Sequence, residues 1–209
     1  MTTSDLVLCG SHIRLEPLNR AHIAALVEAS SGEQSLYAMS FVPQGQAAVR
    51  AYVETALAWA QAGHAVPFAT VRQSDGAVIG STRFFDLQRW AWPASHPQTN
   101  AFDTGEIGYT WLAPAATRTA ANTEAKLLML TQAFESWGMR SVSFHTDARN
   151  ARSRAAIERI GAQFEGILRA HRLATDFSPR DSARYSIIAS EWPDVKPHIA
   201  ALLARSQNG

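Results

Sequence analysis

Between Gly105 and Gly161 the chain runs strand, helix, strand, helix, and this order constrains the fold more than any other feature. The stretch Gly105-Glu106-Ile107-Gly108-Tyr109-Thr110-Trp111-Leu112 alternates as a strand, with Ile107, Tyr109 and Trp111 expected on one face and Glu106, Gly108 and Thr110 on the other. Leu127, Leu130, Phe134 and Trp137 recur at helical spacing in a helix expected from about Ala120 to Trp137, with Gly138 as its terminator. Ser141 to Thr146 is strand-like again, and a second helix follows from Asn150 to Gly161. A strand that returns through a helix is not a hairpin; the crossover sets it parallel to the strand before it.

The rest of the chain predicts antiparallel neighbours around that pair. His12 to Glu16 alternates polar and apolar residues up to Pro17, and Asn19 can cap a helix that turns Ile23, Leu26 and Val27 inward. A second helix is expected from about Gln46 to Ala62, closed by Gly63. Ala65 to Arg72 and Ala77 to Asp86 form a hairpin about the turn Ser74-Asp75-Gly76. Strands over Ala162 to Leu173 and Arg184 to Ala189 and a helix from Pro193 to Ala204 complete the tail. The fold class is therefore α/β (α+β), a mixed and mostly antiparallel sheet flanked by helices.

At 209 residues and 46% hydrophobic composition, residues 1–209 suit one domain with one sizeable core. A formal charge of +1 gives no general attraction to nucleic acid or to an anionic membrane, so neither is an expected partner. No apolar run reaches the length of a membrane span, and Met1 to Asp5 lacks the charged and apolar regions of a leader, which predicts a cytoplasmic protein. The single cysteine, Cys9, excludes an internal disulfide and is expected to be inert and partly buried. No spacing of His, Cys or carboxylates suggests a metal site.

Two segments point to chemistry. In the helix capped by Asn150, the residues Ala156, Ile157 and Ile160 lie three, four and seven positions beyond Ser153, so the Ser153 hydroxyl opens an apolar stripe. It is either a satisfied core serine or a ligand group at the positive end of a helix. The loop from Gln88 to Phe102 is rich in aromatic residues; Trp90 and Trp92 either contact substrate or fold back as a satellite cluster.

The ordered text from Gly105 to Leu112, Asn122-Thr123-Glu124-Ala125-Lys126-Leu127-Leu128, Thr146 to Ser153 and Gly161 to Arg169 resembles one family over nearly the whole chain, the GNAT-superfamily N-acetyltransferases of the RimJ/RimL type. The resemblance implies a sheet splayed at its middle strands, acetyl-CoA as cosubstrate in the splay, no metal, and an amine acceptor from the opposite side, a protein N-terminus or a small molecule. A homodimer is left open.

By that resemblance Glu106 is the general base and Ser153 the proton donor to the departing sulfur, which an amine attacking a thioester requires. A carboxylate in a partly apolar cleft has its pKa raised toward the working range. An alternative is that Glu106 merely pairs with an arginine. A backbone N–H near Trp111 or Leu112 would hold the oxyanion, and Asn150 falls on a CoA-contacting position that is equally a plain N-cap. The family's phosphate loop, Gln/Arg-Gly-Thr-Gly-x-Asn, is here Thr117-Arg118-Thr119-Ala120-Ala121-Asn122. Ala120 can keep helical geometry and present its N–H, with charge from Arg118 and hydroxyls from Thr119 and Thr123. The competing reading is a CoA-binding or interaction module that has lost turnover through this altered loop.

Overall fold

The computed structural model describes residues 5–32, 34–97 and 100–206. Gln98 and Thr99 of the expected aromatic loop, and residues 1–4, lie outside them. In chain order the elements are β1 (Leu8–Cys9), β2 (Ile13–Pro17), α1 (Ile23–Ala29), α2 (Gly45–Gln61), β3 (Ala65–Arg72), β4 (Val78–Gln88), β5 (Thr104–Leu112), α3 (Ala121–Thr131), β6 (Ser141–Asp147), α4 (Ala151–Arg159), β7 (Gln163–Leu173), β8 (Pro179–Ile188) and α5 (Trp192–Ser206). Asn19 does cap, accepting from Ala21 N at 2.9 Å ahead of a short 3-10 turn that leads into α1. Gly63 and Gly76 close α2 and the β3–β4 turn with φ of 77° and 72°, backbone that a side chain disfavours.

One eight-stranded sheet runs β1-β2-β3-β4-β5-β6-β8-β7. The β5–β6 pair is parallel, as the strand–helix–strand order requires; its neighbours are antiparallel. On one face α3 and α5 bury Met129, Leu130 and Ile199; on the other α1 and α2 bury Leu26, Val49, Val53 and Ala56. Among the described residues no helix is long and apolar enough to cross a membrane. Cys9, expected to be partly buried, is exposed.

Two features of the sheet shape the site. The β5–β6 pairing ends at Glu106 opposite Ser143, although β5 continues to Leu112 and β6 to Asp147. The strands therefore part, and Glu106 stands where they separate. Second, β5 carries a bulge: Ser81 faces Trp111 but Arg83 faces Gly108, so three steps on β5 oppose two on β4. The extra residue bends through Tyr109, whose φ is 50°.

The bulge corrects the expected alternation. Ile107 packs in the core beside α3, whereas Trp111 packs in the core beside α1 and α2, and Tyr109 meets Trp59 of α2 edge to face. Thr110 turns the opposite way and accepts from Lys126 on α3. An unbroken period of two cannot continue through an inserted residue.

The expected single helix to Trp137 is also interrupted, its end being a π-helical turn over Gln132–Ser136. Strand β8 begins at Pro179, five residues before the expected Arg184. Pro179 to Ala183 lacks an apolar alternation, and its strand form is imposed by β6 and β7 on either side.

Candidate active site

Where β5 and β6 part, a cavity of about 510 Å³ opens, walled by both strands, α3, α4, the β7–β8 hairpin and residues 39–41. Glu106, Ser153, Asn122 and Trp111, widely separated in sequence, all line it. So do Ala156, Ile157 and Ile160, so the stripe that Ser153 opens faces the cleft. Helix α4 is aimed there by its cap: Asn150 Oδ1 accepts from Ser153 N at 3.0 Å. That bond fixes the first turn and uses the Asn150 side-chain oxygen, and Asn150 itself is not part of the cavity wall.

Glu106 is 2% exposed and is held by Arg172 of β7 through two hydrogen bonds, Nη1 to Oε1 at 3.3 Å and Nη2 to Oε2 at 2.8 Å. The guanidinium supplies the counter-charge that a carboxylate so deeply buried needs. The arginine pairing that the sequence left as an alternative is thus present, within the cavity rather than away from it. His145 of β6 sets Nδ1 2.9 Å from Oε2, but its ring is turned so that no hydrogen bond forms, and neither ring nitrogen has a hydrogen-bond partner among the described residues. Its ring packs against His171, with centroids 4.9 Å apart. Burial, then the Arg172 charge, lowers the His171 pKa, which favours the neutral ring.

The opposite wall belongs to α3. Asn122 Oδ1 is buried without a partner among the described residues, and Trp111 Nε1 is in the same condition. One helical turn beyond Asn122, Lys126 donates from Nζ to Thr110 Oγ1 at 2.7 Å, and Thr110 Oγ1 in turn lies 2.8 Å from Thr82 Oγ1. No carboxylate pairs with this lysine among the described residues. Burial lowers its pKa to about 7. The buried Asn122 amide oxygen on α3 and the Trp111 indole N–H on β5, both lining the cavity, are groups that a polar ligand would satisfy, and they fit a chain of amides better than an apolar guest.

The altered loop places a non-glycine residue in left-handed backbone. Arg118, at a position where the family has glycine, adopts the left-handed backbone with φ 61° and is exposed. Ala120 is right-handed helical with φ −62° and ψ −20°, and no side chain caps α3 there. Thr117 and Thr119 donate their hydroxyls to Pro114 O and Ala116 O, both at 2.8 Å. Ala121 is buried, and its N–H reaches Thr119 Oγ1 at 3.3 Å. Thr123 is buried too, accepting from Arg159 Nη2 at 2.9 Å, so its hydroxyl faces α4. Leu112 accepts at its carbonyl from Tyr37 at 3.2 Å. Of the residues 117–123, Asn122 alone lines the cavity.

Trp90 and Trp92, expected as possible substrate contacts, are not in the cavity wall. Their rings pack at a tilt with centroids 5.6 Å apart and are tied to Asp103, which accepts from Trp90 N at 2.8 Å and from Trp92 Nε1 at 3.1 Å, with Arg140 over both rings. The satellite-cluster alternative describes them. Sequence reasoning gave no role to His145, Lys126 or Arg180, all of which line the cavity. Lys126 carried a signal, a charge four residues beyond Asn122 on a helix face that is otherwise buried. Arg83 carried none: it is 1% exposed, with the Tyr52 and Tyr109 rings 4.6 and 4.3 Å from its guanidinium carbon, a cage assembled from distant segments.

A profile of the acetyltransferase (GNAT) domain matches residues 12–163. Among solved structures the chain is similar to a GCN5-related N-acetyltransferase from Brucella melitensis, at 28% identity and a TM-score of 0.79, over 97% of this chain and 87% of that one. It is similar in fold to RimJ from Mycobacterium smegmatis in complex with CoA-disulfide, at 19% identity and a TM-score of 0.78, over 96% of each chain. RimL, a ribosomal L7/L12 alpha-N-protein acetyltransferase solved in complex with coenzyme A, shares the fold at 16% identity and a TM-score of 0.69, over 88% of this chain and 98% of that one. No curated protein matches the chain.

Proposed function

Since the chain belongs to the GNAT acetyltransferase family and is an acyltransferase, we propose that it moves the acetyl group of acetyl-CoA to a primary amine by direct transfer within a ternary complex. The observation that carries this reading is the parting of β5 and β6 at Glu106, which gathers a carboxylate, the Ser153 hydroxyl and the unpartnered Asn122 amide oxygen in one cavity. Acetyl-CoA brings the activated thioester. Asn122, Lys126 and the uncapped start of α3 hold its arm, with Arg118 toward its phosphates.

Glu106 takes the proton that the amine loses, directly, through water or by way of His145. Arg172 holds the carboxylate in place, and the closeness of His145 to Oε2 supports that route. A backbone N–H near Trp111 or Leu112, beyond the point where β5 has lost its partner, steadies the oxyanion. Ser153 gives its proton to the sulfur and recovers one from solvent, to which Glu106 releases the proton it took. The new C–N bond replaces the C–S bond, and the products are an N-acetyl amine and CoA with its thiol.

Two measurements test this. Heat unfolding with rising acetyl-CoA is expected to show a melting temperature that climbs with ligand concentration, and an amine panel is expected to release CoA thiol. Glu106→Gln is expected to lower turnover by about a hundredfold or more while acetyl-CoA affinity changes little. Full turnover in Glu106→Gln would remove the base assignment.

A further inference from the structure

The acceptor end of the cavity carries more positive charge than its chemistry uses. Arg172 and Arg180 are directly opposed across the β7–β8 ladder, a placement that like charges make unfavourable. Glu106 binds Arg172 of the pair through two hydrogen bonds. Asp86 lies 3.7 Å from Arg172 as well and is largely in solvent. Arg180 has no carboxylate within 4 Å among the described residues; its Nε and Nη2 both rest on the buried Ser182 hydroxyl, at 3.1 and 2.9 Å. The nearby Asp147 is already engaged by Arg149 through two side-chain bonds. Burial first, and then the Arg172 charge, press the Arg180 pKa downward, so its charge stands undercompensated.

Beside these arginines the cavity rim is apolar. Met39, Phe41 and Leu173 all line the cavity while remaining 41%, 53% and 52% exposed. The loop bearing the first two is tied to the hairpin by Thr175 Oγ1, which donates to Ala38 O at 2.6 Å. A polyamine or an aminoglycoside-like polycation would meet Arg172 and Arg180 as repulsion. An amine that carries its own carboxylate would meet a partner.

Resting on the acetyl-transfer reading, we propose that the acceptor is a free α-amino acid with an apolar side chain. Its carboxylate pairs with Arg180, its amine is presented toward Glu106 and His145, and its side chain lies on Phe41, Met39 and Leu173. The product is the N-acetyl amino acid. A peptide N-terminus offers an amide where this site holds a guanidinium with no carboxylate partner among the described residues, and a guanidinium–carboxylate pair is among the stronger hydrogen-bonded contacts available.

The test compares phenylalanine, methionine and leucine with their amides, with short peptides beginning with the same residues, and with spermidine, by CoA thiol release from the full chain. The free acids are expected to exceed their amides about tenfold or more in kcat/KM. Arg180→Gln is expected to close that gap, raising KM for the acid about tenfold to a hundredfold while KM for acetyl-CoA holds. Phe41→Ala, an exposed loop substitution, is expected to erase the preference for phenylalanine over alanine. Amides or peptides turned over as well as the acids, or an Arg180→Gln loss that falls equally on acid and amide, would overturn the assignment. If no amine releases CoA although acetyl-CoA raises the melting temperature, acetyl transfer itself fails and takes this inference with it.

Discussion

Replacing Lys126 by methionine is expected to stabilise the protein, and by an amount that depends on pH in a defined direction. The ammonium sits in α3 at 7% exposure, and burial lowers its pKa from 10.5 to about 7. At 1.36 kcal/mol per pH unit, a displacement of that size corresponds to a folding penalty on the order of 5 kcal/mol. Between pH 7 and 10.5 the unfolded chain holds a proton on this lysine that the folded chain does not, so stability rises with pH across that window. Below pH 7 both states are charged and the whole penalty is present; above about 10.5 it has vanished. Losing the hydrogen bond to Thr110 offsets about 1 kcal/mol of the gain. Lys126→Met should therefore gain roughly 3–4 kcal/mol at pH 6, which is about 10 °C in melting temperature for a chain of this size, and nothing by pH 10. Urea unfolding of both proteins from pH 6 to pH 10 measures the difference while other titrating groups cancel. A difference that stays constant across this range, or one that grows with pH, would refute the assignment of an uncompensated buried charge.

Two further outcomes concern the frame of the site. Glu124 is buried and accepts from the backbone N–H groups of Ser11, His12 and Ile13 at 2.8, 2.8 and 2.7 Å, pinning the β1–β2 turn to α3. Glu124→Ala leaves these donors without their acceptor and should cost about 3 kcal/mol or more in urea unfolding; a loss under about 1 kcal/mol would show that water replaces the carboxylate. At Gly80, opposite the bulge, an added Cβ would meet the Trp111 carbonyl and lie 2.9 Å from Leu112 Cα. Gly80→Ala should cost about 1–3 kcal/mol and should also weaken acetyl-CoA binding by shifting β5; a variant with unchanged melting temperature and cofactor affinity would mean that the strand gives way freely.

The sequence made the order of elements legible because local signals carry it. The Asn19 and Asn150 caps, the Ser74-Asp75-Gly76 turn and the positive-φ glycines 63, 76 and 138 each act over a few residues, and all stand where the sequence put them. The parallel pair was legible from connectivity alone. The Glu106 and Ser153 positions in one cleft were legible through family resemblance, and the stripe behind Ser153 through helical spacing. The bulge was not, since nothing local marks Tyr109 as the extra residue; it is revealed only by the pairing of Ser81 with Trp111 and Arg83 with Gly108. Trp90 and Trp92 misled for the opposite reason, because an aromatic loop looks alike whether it covers a substrate or an aspartate.

What the sequence determined by itself was the mixed sheet, the crossover pair and the helix caps, set by periodicity and connectivity, while Glu106 and Ser153 were singled out through family resemblance. What only the tertiary structure decided was the electrostatics of the cavity. Arg172 binds Glu106 across 66 positions in sequence, Arg180 has no carboxylate partner among the described residues, and Lys126 is buried beside Thr110. A side chain's charge is written in the sequence, but its compensation depends on distance and burial, and those are fixed only when β7, β8, α3 and the parted strands close around the same space.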